Sequence, residues 1–207
     1  MTNLSIATHT IRPIEGPLLG GRLNSKSRAA IAVIGFALLT AVLAQVKIPL
    51  GITPVPITGQ TFAVLLAGGA LGARLGSLSQ VVYVAMGAVG LPFYSDAQGG
   101  WSAATGTTAG YLAGFVVAAF VVGRLADRGQ NRNVLTAMST FALGSVIIYA
   151  FGATYLAYRL DLPLSAAAGE PSALAFGVTP FLIGDAVKVV LAGLALPLVH
   201  AVLDDAD

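Results

Sequence analysis

The chain has 207 residues, of which 56% are hydrophobic and only 10% are charged, and its mean hydropathy is +0.84. A soluble globular protein carries about 25% charged residues, so this composition indicates an integral membrane protein made almost entirely of its spans. Cysteine is absent, which excludes disulfides, thiolate nucleophiles and cysteine-based metal sites.

The first 28 residues are polar and basic, and we expect residues 1–28 to form a cytoplasmic, largely disordered tail. The apolar run 29–46 is too long for the hydrophobic region of a signal peptide, and no small-residue cleavage site follows it. It is therefore predicted to be the first membrane span. Residues 29–207 are expected to form one transmembrane domain.

A transmembrane helix needs about 20 apolar residues, or about 17 where the helix is short. Six segments are predicted to span: 29–46, 60–71, 75–89, 108–125, 134–158 and 180–203. The second and third are separated only by residues 72–74, which predicts a tight helical hairpin. We expect the sixth to begin with Thr179 as N-cap and Pro180 at the first helical position. The predicted fold class is an all-α integral membrane protein with six transmembrane helices.

The placement of the eleven Lys and Arg residues predicts the orientation. With the N-terminus inside, eight fall on the inner side, namely Arg12, Arg22, Lys26, Arg28, Arg74, Arg124, Arg128 and Arg132. Lys47 and Arg159 fall outside, and Lys188 lies in the membrane. Because basic residues concentrate in cytoplasmic loops, both termini are expected to be cytoplasmic. The long connections 47–59, 90–107 and 159–179 then lie outside, and we expect them to cap a ligand pocket.

Asp185 and Lys188 lie inside the last apolar run. A charge at bilayer depth costs about 3 kcal/mol or more. Spacing i, i+3 places both side chains on one helical face, where they partly neutralise each other. The pair could simply cross-link helices. The cost of desolvating two ions instead favours a small polar ligand that needs both an acceptor and a cationic donor.

Three further segments carry candidate residues. Thr107 and Thr108 place hydroxyls at the start of the fourth helix, which suits an anionic or carbonyl oxygen, and Tyr111 adds an aromatic wall with a polar tip. The glycines around them are equally typical of helix packing.

Gln60 offers a donor and an acceptor at the membrane boundary, although its segment could also be a helix start capped by Thr58.

In the first span, Ala37 and Ala41 form an Ala-x-x-x-Ala pair. Small residues four positions apart flatten one face of a helix and let another helix approach closely. Alanine is abundant in this chain, so the pattern alone is nonspecific.

Together these segments resemble a known family. The stretches TPVPITGQTFAVLLAGGALGARLGSLSQVVYVAMGAVGLPFYSDAQGGW and TGTTAGYLAGFVVAAFVVGRLADRG, followed by Asp185-x-x-Lys188, are similar to the BioY family. These proteins are the biotin-specific substrate-binding (S) components of energy-coupling factor (ECF) transporters. The resemblance covers roughly residues 30–200, with the motifs in order.

The resemblance implies six helices in a bacterial cytoplasmic membrane, with outer loops over a biotin site. It implies partnership with a transmembrane coupling protein and two ABC-type ATPase subunits, although some members are thought to act without a dedicated module. The Ala37–Ala41 face would dock the coupling protein. The Pro-Val-Pro-x-Thr-x-Gln pattern is intact through Gln60. Thr107 replaces a proline and Ala109 a glycine, so the fourth helix is expected to start differently.

For a biotin ligand, the carboxylate of Asp185 would accept from the ureido N–H groups and Lys188 would donate to the ureido carbonyl. Tyr83, Phe93 and Tyr111 are predicted to pack on its ring and chain, and polar loop groups would hold its carboxylate. Membrane lipid is the expected surrounding. No cofactor, metal or nucleic acid is expected.

Several alternatives stay open: an S component for another small vitamin, a biotin transporter that acts without an ATPase, or a channel-like structural protein. An enzyme is not expected, because no serine is evidently paired with Lys188 as a base. No Walker A pattern occurs, so the chain does not bind ATP by that route. The sequence leaves a homo-oligomer open.

Overall fold

The computed structural model describes residues 25–130, 133–167 and 169–204. Most of the predicted tail, with Arg12 and Arg22, lies outside the described residues, as does Arg132. The helices are α1 Ser25–Gln45, α2 Gln60–Ala88, α3 Trp101–Ala104, α4 Ala109–Ala126, α5 Val134–Leu160, α6 Ala173–Gly177 and α7 Leu182–Asp204.

The long helix α2 is a hairpin with two arms, 60–71 and 73–88. Gly72 interrupts it with φ 76° and ψ −179°. Gln60 Nε2 donates to the Tyr83 hydroxyl at 2.5 Å, although 23 residues of straight helix would separate them by about 35 Å. A Cβ on Gly76 would lie 2.8 Å from the Ala67 carbonyl oxygen. The two arms therefore run antiparallel, and the predicted hairpin is confirmed.

The hairpin turn is held by the end of α4. Asp127 Oδ2 accepts a hydrogen bond from the Ala73 backbone N–H at 3.2 Å. A Cβ on Gly72 would overlap the Asp127 carboxylate, and its positive φ also favours glycine. We call this part of the bundle, which carries the exposed Arg74 and Arg124, the turn end.

Among the described residues, five helical stretches are long and apolar enough to cross a membrane: Ser25–Gln45, Gln60–Ala88, Ala109–Ala126, Val134–Leu160 and Ala173–Leu194. The last stretch includes α6 and most of α7. With the two arms of α2 counted separately, the six predicted segments are present. The last one starts differently from the prediction. A 3₁₀ turn, Thr179–Phe181, precedes α7, and the Thr179 hydroxyl donates back to the Leu174 carbonyl at 3.1 Å instead of capping α7.

The three long connections meet at the opposite end, which we call the lid end. The Thr53 hydroxyl donates to the Phe176 carbonyl at 2.8 Å, and the Tyr155 hydroxyl donates to the Thr105 carbonyl at 3.1 Å. The first connection also holds a small antiparallel ribbon, β1 Lys47–Ile48 and β2 Ile57–Thr58. This ribbon is a minor addition to the predicted all-α fold.

Close packing of α2 against α4 forms the centre of the bundle. A Cβ on Gly68 would lie 2.7 Å from the Ala119 carbonyl oxygen. Small residues allow such close contact between helix backbones. Towards the lid end, a cluster of buried aromatic residues fills the space between α1, α2 and α4: Tyr83, Tyr94, Tyr111, Phe115 and Phe181.

Candidate functional site

The Asp185–Lys188 ion pair is formed within the first turns of α7, as the sequence predicts. Lys188 Nζ lies 2.7 Å from Asp185 Oδ1, and the two side chains are 17% and 7% exposed, respectively. Lys188 also donates to the Thr58 carbonyl oxygen at 2.6 Å and to the Thr61 hydroxyl at 3.0 Å. The end of β2 and the first turn of α2 therefore supply partners that a buried ammonium requires.

The second carboxylate oxygen of Asp185 is bound by a residue that the sequence analysis missed. The Tyr149 hydroxyl, on α5, donates to Asp185 Oδ2 at 2.6 Å, and the Thr61 hydroxyl donates to Oδ1 at 3.3 Å. A tyrosine in the middle of an apolar helix needs a partner for its hydroxyl. That requirement was the available signal for Tyr149, but it did not identify the partner.

The pair opens onto a cavity under the lid end. Of the predicted residues, five line it: Gln60, Thr108, Tyr111, Asp185 and Lys188. The rest of its wall is mainly apolar or aromatic and includes Val55, Pro56, Tyr94, Leu112, Phe115, Ile148 and Phe181. An apolar pocket with a few convergent polar groups is typical of a small-molecule site.

Gln60 and Thr108 reach the cavity from the starts of two helices. The Gln60 side chain donates to the Tyr83 hydroxyl and accepts from the Thr58 hydroxyl at 2.7 Å. Thr108 is the N-cap residue of α4, without a side-chain capping bond. Tyr111, one turn later, donates its hydroxyl to the Gly177 carbonyl at 2.7 Å. Tyr111 thus forms cavity wall and also holds the third connection.

Three predicted contact residues do not line this cavity. Tyr83 is fully buried, and its ring stacks on Phe93 with centroids 6.4 Å apart. The edge of Tyr94 meets Tyr83 at 5.8 Å. Tyr83 and Phe93 therefore support Gln60 and Tyr94, which do face the cavity. Thr107 lies in the turn before α4, also outside the lining.

Tyr94 belongs to the turn that follows α2. Burial raises the pKa of its phenol above the ordinary value, so the hydroxyl stays protonated. It donates to the Val84 carbonyl at 2.7 Å. The ring is thereby fixed as part of the cavity roof.

The structure buries both predicted docking residues. Ala37 is 1% exposed and Ala41 is 7% exposed, on the face of α1 that packs inside the bundle. The exposed face of α1 carries larger side chains, including Ile31, Ile34, Leu38 and Val42. A partner could reach the two alanines only if α1 moved, and their docking role stays a prediction.

The sequence of the chain is similar to one known family and to named relatives. The model of the BioY family matches residues 18–205. The biotin transporter BioY of Rhizobium etli is 39% identical over a 165-residue alignment that covers 76% of this chain and 84% of the relative. That of Thermotoga maritima is 38% identical over 159 residues, 77% of this chain and 88% of the relative.

A solved structure shares the fold. The crystal structure of the S-component for biotin from an ECF-type ABC transporter matches with a TM-score of 0.77 at 23% identity, covering 88% of this chain and 95% of that one. The family model spans the whole described region, and the two relatives are similar over most of their length. The chain therefore belongs to the BioY family.

Proposed function

We propose that this chain binds biotin with high affinity and takes it up as the substrate-specific component of an ECF transporter. The observation that carries the proposal is the Asp185–Lys188 pair, which lines an otherwise largely apolar cavity beneath the lid end. The relatives named biotin transporters supply the identity of the small molecule.

The pair suits a ureido ring, which has two N–H donors and one carbonyl acceptor. A carboxylate accepts at about four lone-pair sites, and Asp185 accepts three hydrogen bonds from the described residues. One N–H of the ligand can therefore bind Asp185 without displacing a partner. Lys188 has three donors, and all three are used. The ligand carbonyl would take the place of one of the three acceptors of Lys188, most readily the Thr61 hydroxyl.

The remaining lining suits the rest of the molecule. Tyr111, Phe115 and Phe181 offer apolar surface to the fused ring and the aliphatic chain, and Gln60 and Thr108 add polar groups. A site whose polar groups are buried discriminates strongly against analogues that lack the matching group, because the protein groups are then left unpaired. This property supports selection of biotin over an analogue without the ureido N–H groups.

The distribution of basic residues supports uptake from outside. Exposed Arg74, Arg124 and Arg128 lie at the turn end, whereas Lys47 and Arg159 lie near the lid end. Basic residues favour the cytoplasmic side, so the lid end would face outwards in a bacterial cytoplasmic membrane with both termini inside. The nutrient would then reach the cavity by opening of the lid.

Energy for uptake would come from partner proteins. We propose a transmembrane coupling protein and two ABC-type ATPase subunits, since the sequence has no Walker A pattern and the family resemblance implies this assembly. Expression in cells with and without candidate ATPase subunits tests this point. Uptake that depends on the subunits supports the assembly, and equal uptake without them would show transport by the chain alone.

The ligand itself is tested by purifying the protein after incubation with radiolabelled biotin. We expect stoichiometric retention, with displacement by unlabelled biotin and no displacement by other vitamins. Failure to retain biotin, or displacement by a different vitamin at equal concentration, would contradict the proposal.

A further inference from the structure

The Ser95 turn, defined as residues 94–97, forms part of the cavity roof. Tyr94 and Ser95 both line the cavity. The Ser95 hydroxyl oxygen is buried and has no hydrogen-bond partner among the described residues. An unpartnered buried hydroxyl costs about 1–3 kcal/mol, and a protein rarely retains one without a reason.

The other hydroxyls of the lining are mostly committed within the protein. Those of Tyr94, Tyr111 and Tyr149 donate to Val84, Gly177 and Asp185. Those of Thr58 and Thr61 donate to Gln60 and Asp185. Ser95 thus retains a donor that faces the cavity and that no described protein group uses.

The backbone that carries this hydroxyl is held from outside the cavity. Gln45, the last residue of α1, donates to the Tyr94 carbonyl oxygen at 3.0 Å and accepts from the Ala97 N–H at 2.9 Å. Lys47 forms an ion pair with Asp96. These contacts bracket Ser95 on both sides, so its backbone is held in place before a ligand arrives.

The same turn has an unfavourable backbone conformation. Asp96 and Ala97 have φ values of 64° and 52°, which non-glycine residues rarely adopt. Such strain persists only where the surroundings impose it, and it concentrates at ligand sites. The contacts from Gln45 and Lys47 are what impose it here.

Among the described residues that line the cavity, Lys188 is the one cation, and it is engaged by Asp185 and Thr58. A ligand carboxylate in the cavity must therefore be held mainly by neutral donors. The N-terminus of α4, where Thr108 also lines the cavity, favours a negative charge.

We infer that Ser95 is a ligand-contacting residue, whose hydroxyl donates a hydrogen bond to the carboxylate of the bound biotin. The inference rests on the proposed function, because it assigns the second polar end of the ligand once the Asp185–Lys188 pair takes the ureido end. It makes Ser95 a determinant of specificity for the free acid over neutral derivatives.

The test compares biotin with its uncharged methyl ester in binding titrations on purified protein. Ser95→Ala should weaken biotin binding about 10- to 100-fold, the usual effect of losing a hydrogen bond to a charged group. It should weaken ester binding less, by about tenfold at most, because the ester carbonyl accepts only a neutral hydrogen bond. Ser145→Ala is the matched control. Ser145 also has a buried hydroxyl without a partner among the described residues. It does not line the cavity but a groove between α5 and α7, which shares only Tyr149 and Asp185 with the cavity, so both affinities should stay unchanged.

Thermal unfolding shows whether a lower affinity comes from a lost ligand contact or from a less stable protein. Without ligand, Ser95→Ala should be at least as stable as the wild type, since it removes a buried hydroxyl that has no partner among the described residues. Ser95→Thr keeps a hydroxyl and should therefore retain the preference for biotin over its ester. Unchanged biotin affinity in Ser95→Ala, or equal losses for biotin and ester, would overturn the inference while leaving biotin binding by the wild type intact. A wild type that binds no biotin would contradict the proposed function instead.

Discussion

Asp185 has more partners than its ion pair alone would give. Besides Lys188, it accepts from Tyr149 and Thr61, so its charge is balanced and its orientation fixed by three helices. A hydrogen bond to a charged group contributes about 1.5–3 kcal/mol. The position of the carboxylate is thus set before the ligand binds, which reduces the entropy lost on binding.

Tyr149→Phe should lower biotin affinity about three- to tenfold, because Asp185 loses a donor at 2.6 Å and the carboxylate is no longer held in one orientation. Isothermal titration of purified protein measures the change. Tyr158→Phe is the control, since Tyr158 is 81% exposed and should have no effect. Equal affinities for Tyr149→Phe and the wild type would show that the tyrosine does not position Asp185.

At this scale the sequence predicted the charged pair but not its neighbours. Asp185 and Lys188 are conspicuous because a charge in an apolar run is costly. Tyr149 and Ser95 bear uncharged hydroxyls, whose partners or lack of partners depend on segments distant in the chain. The sequence predicts a ligand contact for Tyr83, whereas the structure buries it beside the cavity, because core burial and exposure to a cavity look alike in sequence.

Among the helices, the hairpin of α2 depends on one glycine. Gly72 combines φ 76° with contact to the Asp127 carboxylate. Because a side chain there would be strained and would displace the group that caps the second arm, the turn cannot accept another residue without cost.

Gly72→Ala should therefore destabilise the protein by about 1–3 kcal/mol, seen as a lower unfolding temperature in detergent. Gly35→Ala is the matched control: a Cβ there meets nothing within 4 Å, and alanine favours a helix by about 1 kcal/mol over glycine. A Gly72→Ala variant as stable as Gly35→Ala would contradict the strained-turn account.

The connection between α1 and the lid depends on Gln45, which makes two hydrogen bonds to the Ser95 turn. Gln45→Leu should release the turn and speed biotin dissociation about fivefold, with little change in association, since affinity differences within one site arise mostly in the off-rate. Stopped-flow displacement measures both rates. The exposed Gln98 provides the control variant Gln98→Leu, and equal dissociation rates for the two variants would exclude this role for Gln45.

Helix number and the hairpin were predictable because apolar run length and glycine placement are local properties. The sequence does not predict which face of α1 packs against the other helices. Its exposed face carries Ile31, Ile34 and Leu38, and its buried face carries Ala37 and Ala41. Both faces are apolar, because lipid and protein interior are equally apolar surroundings. Hydrophobic periodicity therefore cannot distinguish the two faces in a membrane protein.

Over the whole molecule, the two ends of the bundle differ in how they are held. The turn end is packed backbone against backbone, as where a Cβ on Gly68 would crowd Ala119. The long connections at the lid end are held mainly by side-chain contacts, such as the Thr53 hydrogen bond to Phe176 and the Lys47–Asp96 ion pair. Regions with few packed contacts open at lower free energy. Ligand entry is therefore expected at the lid end, while the turn end stays rigid.

We propose that the Asp185–Lys188 pair binds the ligand. Equilibrium titration of purified protein with biotin, comparing Asp185→Asn with Asp127→Asn, measures what the carboxylate of the pair contributes to binding. Asp127 is a matched carboxylate that receives a backbone hydrogen bond at the turn end. We predict at least tenfold weaker binding for Asp185→Asn, because Lys188 loses its counter-charge and the ligand loses an ionic acceptor, and unchanged binding for Asp127→Asn. Equal affinity of Asp185→Asn and the wild type would contradict the claim.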